Sequence, residues 1–372
     1  MQRVQYELEN LLHRDPILLD GKLIAGQLTG KIILITGAAG SIGSEIVRQV
    51  AGFNPAGIIM LDQAETPLYL LGLEMEAKYS GTVVYQEIAD ISNKAAINAV
   101  FAAYQPNIVY HAAAYKHVQM MEKNPSQAII VNVLGTKIVA NAASRFNVET
   151  FVMISTDKAV NPGSVMGASK LIAEKYIQAL HNNGLSEKSG ITKYLITRFG
   201  NVLGSNGSVV PVFAKQIEDG GPVTLTHPEI TRYFMTISEA CQLVLEAGAM
   251  GNGGEIYVFD MGEQVKIIDL AYKMIRLAGF EPGREIQIKN IGLRPGEKLF
   301  EELFTDTSKA LPTHNKNIMI CEEEIIDYDA IIAGINKVIN QALVFNNKAV
   351  VREVKNMLPE FISTNSYFEK TD

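Results

Sequence analysis

The chain has 372 residues, 47% hydrophobic and 20% charged, which excludes a disordered or fibrous protein and suits two domains or one large α/β domain with a cap, with no need for a metal or disulfide staple. A formal net charge of −7 without a dense basic block argues against a nucleic-acid reader, so no nucleic-acid partner is expected. Two cysteines, Cys241 and Cys321, make no disulfide framework and suit a reduced, cytoplasmic setting.

Met1–Asn10 is polar and of mixed charge, and no apolar run reaches the roughly 18 residues that span a bilayer. The chain as given is therefore expected neither to cross a membrane nor to be exported by a visible signal. Residues 1–29 read as a lead, with a short amphipathic helix over Glu7–His13 and with Leu18, Leu19, Leu23 and Ile24 flanking a turn at Asp20-Gly21. From Lys31 short apolar runs alternate with helical periodicity. Strands are predicted at Ile32–Thr36, Gly57–Leu61, Val83–Ile88, Ile108–His111, Thr150–Ser155 and Tyr194–Arg198. Helices are predicted near Ser41–Ala51, Thr66–Lys78, Lys94–Tyr104, Ser126–Phe146 and Ser164–Leu180. Successive Ile, Val and Leu suit strands buried on both faces, so residues 30–200 are expected to form an α/β, doubly wound parallel (Rossmann) sheet. Past Gly200 frequent Gly and Pro turns break the rhythm. Residues 201–320 read as a smaller substrate-binding lobe, with helices at Ile237–Gly248 and Ile267–Ala278 and a strand at Ile256–Phe259, returning a strand or two to the main sheet. Residues 321–372 read as a helical tail whose polar end, Ser363–Asp372, is expected to fray.

Strand Ile32–Thr36 runs into Gly37-Ala-Ala-Gly40-Ser41-Ile42-Gly43 and then a helix. Glycines permit the tight turn, let backbone N–H groups approach a pyrophosphate and allow close helix–strand packing, while the helix N-terminus faces the phosphates. Asp62 follows the last glycine by 19 residues at the end of the second strand, where a carboxylate accepts bonds from the adenosine ribose and repels a 2′-phosphate. NAD is therefore favoured over NADP; the plainer reading of Asp62 is a helix cap. Asp90 and Ile91, just past the third strand, are candidates for the adenine edge.

The GxxGxxG spacing resembles the extended short-chain dehydrogenase/reductases, which include nucleotide-sugar epimerases and dehydratases. Further stretches sharpen the likeness: His111-Ala112-Ala113-Ala-Tyr-Lys116-His117, Asn132-Val-Leu-Gly135-Thr136, Ser155-Thr156-Asp157-Lys158-Ala-Val-Asn-Pro162, Met166-Gly-Ala-Ser-Lys170, Arg198-Phe-Gly-Asn201-Val-Leu-Gly204 and Arg294-Pro-Gly-Glu-Lys298. With the lead Leu12-His-Arg-Asp-Pro16, they resemble the UDP-N-acetylglucosamine 4,6-dehydratases of bacterial polysaccharide and bacillosamine-type glycan biosynthesis, over about Glu7 to Phe304. Larger members of that family carry membrane-spanning helices before this unit. The likeness thus implies a cytoplasmic catalytic part of an inner-membrane protein, its anchor outside this chain.

That family implies a tightly bound, recycled NAD. It carries a hydride from carbon 4 of the sugar to carbon 6 while the carbon 5 proton and the carbon 6 hydroxyl leave between. Carried over by motif, Asp157 protonates the departing hydroxyl, Lys158 removes the carbon 5 proton, Thr156 orients a sugar hydroxyl and Lys170 holds the nicotinamide ribose. Ala112 and Ala113 fall beside the cofactor. A lysine acts as a base near neutral pH only when burial or a nearby cation lowers its pKa. One position departs from the wider pattern: four residues before Lys170, where related dehydrogenases carry Tyr, stands Met166. Methionine transfers no proton, so the site is either silent or belongs to the Met-bearing branch associated with retention at carbon 5. The acceptor of the carbon 4 hydroxyl proton stays open.

A UDP-sugar needs cations for its diphosphate. Lys116, His117, Asn201, Arg232, Arg294 and Lys298 are the candidates, with Arg294 favoured because the Pro295-Gly296 turn aims it, unless Glu297 pairs with it instead. Backbone near Val209–Phe213 is a candidate for uracil. His13, His181, His227 and His314 lack ligand spacing and read as solvated or capping, so no metal is expected. The expected activity is retaining 4,6-dehydration of UDP-N-acetylglucosamine. Its rivals are a 4-epimerase, a carbon 5-inverting dehydratase and a silent NAD-binding scaffold. A homo-oligomer is expected, pairing through the helices near Ser126–Phe146 and Ser164–Leu180.

Overall fold

The computed structural model describes residues 21–187, 192–305, 310–322 and 327–371; the expected Glu7–His13 helix and the lead motif Leu12–Pro16 lie outside them. β1 (Ile32–Thr36), β2 (Gly57–Asp62), β3 (Val84–Ile88), β4 (Ile108–His111), β5 (Thr150–Thr156) and β6 (Lys193–Phe199) run parallel in the spatial order β6-β5-β4-β1-β2-β3. Ile256–Phe259 adds in parallel beside β6, and Ile318–Cys321 and Ala310–Pro312 close that edge antiparallel. The second half thus returns three strands to the sheet.

Side chains alternate along each strand. Leu34, Ile59, Val109, Phe151 and Ile196 fill one core, while Ile33, Ile58, Met60, Ile108 and Leu195 fill the other. Because both faces are buried, consecutive positions are apolar. β2 and β4 flank β1 on opposite sides, so the chain diverges above the carboxyl end of β1 and opens the crevice where such sheets bind ligands.

Helices α1 (Gly21–Leu28), α2 (Ser41–Ala51), α3 (Glu65–Lys78) and α4 (Lys94–Tyr104) precede the middle of the chain. Where a turn at Asp20-Gly21 was expected, Gly21 opens α1, whose Ile24 and Leu28 are buried and whose Gln27 Nε2 donates to the Gly248 carbonyl at 2.8 Å. The helix expected over Ser126–Phe146 forms without a gap from Pro125 to Arg145, but its middle widens into a π stretch. After α5 (Val118–Lys123) come α6 (Pro125–Ala128), a wide π turn at Ile129–Gly135 and α7 (Thr136–Arg145). The wide turn seats Gly135 on Ile91, where a Cβ would meet Ile91 Cδ1 at 2.6 Å. It also turns buried Asn132 onto the Tyr115 backbone and Ser169 Oγ; π bulges of this kind are frequent at functional sites.

The second half has its own small core of Leu203, Val210, Phe213, Leu225, Phe234, Leu270 and Met274. In the tail, helices Tyr328–Leu343 and Asn347–Met357 pack on α8 (Val165–Glu187) and the π turn. The tail covers α8, one of the helices expected to pair two subunits, and from Ser164 to Gly184 no residue is exposed, whereas Asn141, Ser144 and Arg145 of α7 are exposed. The tail end is docked rather than frayed. Thr364 N–H donates to Gly163 O at 2.9 Å, Gly296 N–H donates to Thr364 O at 2.8 Å, and Ser366 Oγ donates to buried Glu122.

Candidate active site

The glycine loop closes tightly on its neighbours. Gly37 has φ +67°, and a Cβ there would lie 2.6 Å from Ala113 N; at Gly43 it would lie 2.0 Å from Gly37 O. The first turn of α2 takes no side-chain cap, leaving its N–H groups for an anion. Asp62 accepts from Ala39 N–H and Ala64 N–H, each at 3.0 Å. It therefore braces the glycine loop and the turn before α3, and it does not cap that helix, whose N-cap is Ala64 with no side-chain cap bond. Asp62, Asp90, Ile91, Ala112 and Ala113 line a cavity of about 140 Å³, although Asp90 Oδ1 already accepts from Ser92 N and Oγ at 2.8 Å. A second cavity of about 580 Å³ continues past Gly40, Ser41, Ile42 and Gly43 to Lys116 and His117. These dimensions fit an extended dinucleotide on the crest of β1.

A third cavity, about 350 Å³, shares Lys116 and His117 and reaches Thr156, Lys158, Met166, Lys170, Asn201, Arg232 and Glu301. β5 runs one residue further than expected, so Thr156 is its last member, and Asp157–Ala159 turns sharply as 3₁₀. Thr156 Oγ1 donates to Asp157 Oδ1 at 2.8 Å; Lys158 Nζ donates to Asp157 Oδ1 and Asn201 Oδ1, both at 2.9 Å. Asp157 is fully buried. Burial drives the Lys158 pKa down, but Asp157 and Glu301 together raise it above its ordinary value, contrary to the lowering that a neutral-pH base requires. Lys170, by contrast, is lowered. It is buried, donates to Ile154 O at 2.8 Å, and is pushed to about 8 by burial against the opposing Glu174 charge.

Behind Lys170, Arg198 and Glu174 form a buried ion pair at 2.6 Å. His111 lies between Thr36 Oγ1 and Thr136 Oγ1 at 2.8 and 2.9 Å, pushed by burial and then by Lys170 to about 3, so it is a neutral brace. Burial lowers the Lys116 pKa; burial and then Lys116 lower that of His117.

Two substrate candidates lie elsewhere. Arg294 is exposed and lines none of these three cavities; its Pro-Gly turn aims the backbone, whose N–H donates to Glu297 Oε2 at 3.0 Å. Lys298 Nζ donates to Val160 O at 3.2 Å and lines none of them either. Glu297 pairs with Arg232 at 3.7 Å, not with the Arg294 side chain. Arg232 is buried and donates to the carbonyls of Thr231, Lys298 and Leu299. His181, expected at the surface or at a cap, is buried against Gly253. Glu301 was not anticipated: it follows the Arg294–Lys298 turn as one of two adjacent glutamates, and nothing local marks it as buried.

Glycine loop, acidic strand end and the β5 cluster together define an extended short-chain dehydrogenase/reductase of the nucleotide-sugar epimerase and dehydratase type. The solved structure of Pen from Bacillus thuringiensis matches with a TM-score of 0.74 at 32% identity, covering 81% of this chain and 92% of that one. The chain belongs to the polysaccharide biosynthesis protein family, whose model matches residues 33–323. It is 55% identical over 80% of its length to the capsular polysaccharide biosynthesis protein CapD of Staphylococcus aureus and spans about half (49%) of that protein. It is also 32% identical to a UDP-N-acetylglucosamine 4,6-dehydratase (inverting) of Campylobacter jejuni, over 77% of this chain and 81% of that protein. Among the described residues no helix is long and apolar enough to cross a membrane.

Proposed function

We propose that the chain catalyses the NAD-dependent 4,6-dehydration of UDP-N-acetylglucosamine to a UDP-4-keto-6-deoxy-N-acetyl sugar, with retention at carbon 5. The observation that carries this reading is the hydrogen-bonded Thr156–Asp157–Lys158–Asn201 cluster at one cavity with Met166, where a related dehydrogenase would present a tyrosine. NAD, when bound, supplies the acceptor for the carbon 4 hydride and its donor to carbon 6. Support for NAD comes from the close-packed glycines, the uncapped α2 turn and the Asp62 carboxylate, which disfavours a 2′-phosphate.

The remaining roles fall to side chains. Lys170 holds the nicotinamide ribose and adds positive charge beside it. Thr156 orients the carbon 4 hydroxyl, and its bond to Asp157 offers that proton an exit that Met166 does not. Asp157 protonates the carbon 6 oxygen as it leaves, and Lys158 takes the carbon 5 proton. Lys116, His117 and Asn201 border the sugar, and Arg232 contributes positive charge at the cavity wall. Arg294 and Lys298 are not assigned to the diphosphate.

The test is a mass spectrum of UDP-N-acetylglucosamine after incubation with the protein and NAD in ordinary and heavy water. Loss of one water, with deuterium at carbon 5 and unchanged configuration there, is expected. An inverted carbon 5 would assign the inverting dehydratase, an unchanged mass with a new epimer the epimerase. Substrate bound without change would favour the silent scaffold, the reading that Met166 by itself suggests.

A further inference from the structure

An ammonium group stands between the substrate cavity and two buried carboxylates. Lys158 is 20% exposed, while Asp157 at 0% and Glu301 at 4% lie behind it. Its Nζ donates to Asp157 Oδ1 and Asn201 Oδ1 and lies 3.6 Å from Glu301 Oε1. Two hydrogen-bond acceptors and a carboxylate oxygen at ion-pair distance make the environment of a protonated amine, whereas a base needs a free lone pair. One proton must therefore leave Nζ before the carbon 5 proton can arrive. Asp157 Oδ1 accepts from Thr156 and Lys158 while its buried Oδ2 has no partner, but in the proposed reaction Asp157 carries the proton destined for the departing oxygen and so cannot take a second one from Lys158.

Glu301 has spare capacity. Its Oε2 is buried and has no hydrogen-bond partner. Burial, and then the Asp157 charge, raise its pKa, against Lys158, Arg232 and Lys298. Those four are the charged groups that face it, from the end of β5, the Thr231–Arg232 strand and its own loop.

We propose that Glu301 is the proton acceptor that converts Lys158 into a base. This rests on the dehydratase reading above. An Nζ–H bond breaks and an Oε1–H bond forms, so the ion pair becomes a neutral amine and a carboxylic acid with no net charge moved. Substrate drives the exchange by expelling water, since a drier site penalises two separated charges more than two neutral groups. The 3.6 Å gap closes with side-chain rotation; active-site hydrogen bonds are often long before substrate binds. The carbon 5–hydrogen bond then breaks, its proton going to the Nζ lone pair and its electrons forming the carbon 5–carbon 6 double bond. The carbon 6–oxygen bond breaks at the same time, and the oxygen leaves as water with a proton from Asp157. After carbon 6 has regained its hydride, Nζ returns a proton to carbon 5 and recovers its own from Glu301. Glu301 touches neither carbon; it acts through Lys158 and is a positioning residue.

The test compares the parent with Glu301→Gln and Glu301→Asp. It follows carbon 5 deuterium uptake and water loss, and separately the formation of reduced nicotinamide on mixing with substrate. In Glu301→Gln, carbon 5 exchange and water loss are expected to fall at least about 100-fold near neutral pH, while reduced nicotinamide still forms. The deficit should shrink as pH rises and solvent takes the Lys158 proton, and Glu301→Asp should recover most of the rate. A mere counter-charge predicts the opposite sign, because removing Glu301 would lower the Lys158 pKa. Exchange that is unchanged or faster in Glu301→Gln overturns the proposal. So does equal loss of nicotinamide reduction and NAD binding in both variants, which would make the role architectural. If the parent exchanges no carbon 5 proton, the dehydratase reading fails and takes this inference with it; an active parent with an active Glu301→Gln sinks the inference alone.

Discussion

Replacing the buried Lys170 with methionine is expected to stabilise the fold while ending turnover. Below about pH 8 the lysine is charged in both folded and unfolded chains, so the folded state carries the whole cost of burying the charge. Moving a lysine from 10.5 to about 8, at about 1.4 kcal/mol per pH unit, amounts to about 3 kcal/mol. Methionine has a similar length and no charge, but it forgoes the bond to Ile154 O, worth about 1 kcal/mol. Lys170→Met should therefore raise the unfolding free energy by about 2 kcal/mol at neutral pH. The depressed pKa means that the unfolded chain binds more protons between about 8 and 10.5, so the parent gains stability across that window and the variant's advantage disappears. Urea unfolding of both proteins across that pH range, with NAD absent, measures the difference. A variant less stable than the parent at neutral pH, or an advantage that ignores pH, would refute the reasoning. Stability gained where activity is lost marks a residue kept for function.

Lys158→Ala should bind UDP-sugar but lose water elimination by about 10²–10⁴-fold; retained activity in the mass-spectrometric assay would remove Lys158 from the chemistry. Gly43→Ala drives a methyl group to within 2.0 Å of Gly37 O, so NAD affinity by calorimetry should drop at least about tenfold and stability by about 1–3 kcal/mol; unchanged affinity would show that the loop relaxes. Removing the Glu174 carboxylate from its buried pair with Arg198 by Glu174→Gln should lower the unfolding free energy by up to about 3–5 kcal/mol in urea unfolding, whereas Glu174→Leu with Arg198→Met should lose less. Arg294→Ala should leave the UDP-sugar KM within about twofold, as expected of an exposed side chain away from interactions of large consequence; a large rise would bring Arg294 back to the diphosphate.

Most of the sheet was legible in the sequence because its signals are local. Apolar runs between helical periods mark β1 to β6, and the glycine loop with Asp62 marks the crest of β1. The helix through Ile129–Gly135 was legible but its π widening was not: a π turn has the same composition as a helix, and what selects it is Gly135 seated on Ile91 and Asn132 bonded to a loop and to Ser169. The tail end reads as polar and exposed, yet Thr364 and Ser366 find partners in segments some 70 to 250 residues away by the sequence-independent logic that backbone groups must be paired.

The sequence by itself determined the parallel α/β frame, the dinucleotide loop and the motif residues Thr156, Asp157, Lys158, Met166 and Lys170, since each belongs to a short, self-contained pattern. Only the tertiary structure decided which cations face the cavity and in which direction the pKa values of Lys158 and Lys170 move. Arg232 lines the cavity and Arg294 does not, because the Pro295-Gly296 turn leaves the Arg294 side chain in solvent. Lys170 is lowered because burial outweighs the Glu174 charge, while Lys158 is raised because Asp157 stands beside it and Glu301 joins from a loop more than a hundred residues later. A pKa is set by burial and by charges near in space, and a sequence orders residues only along the chain.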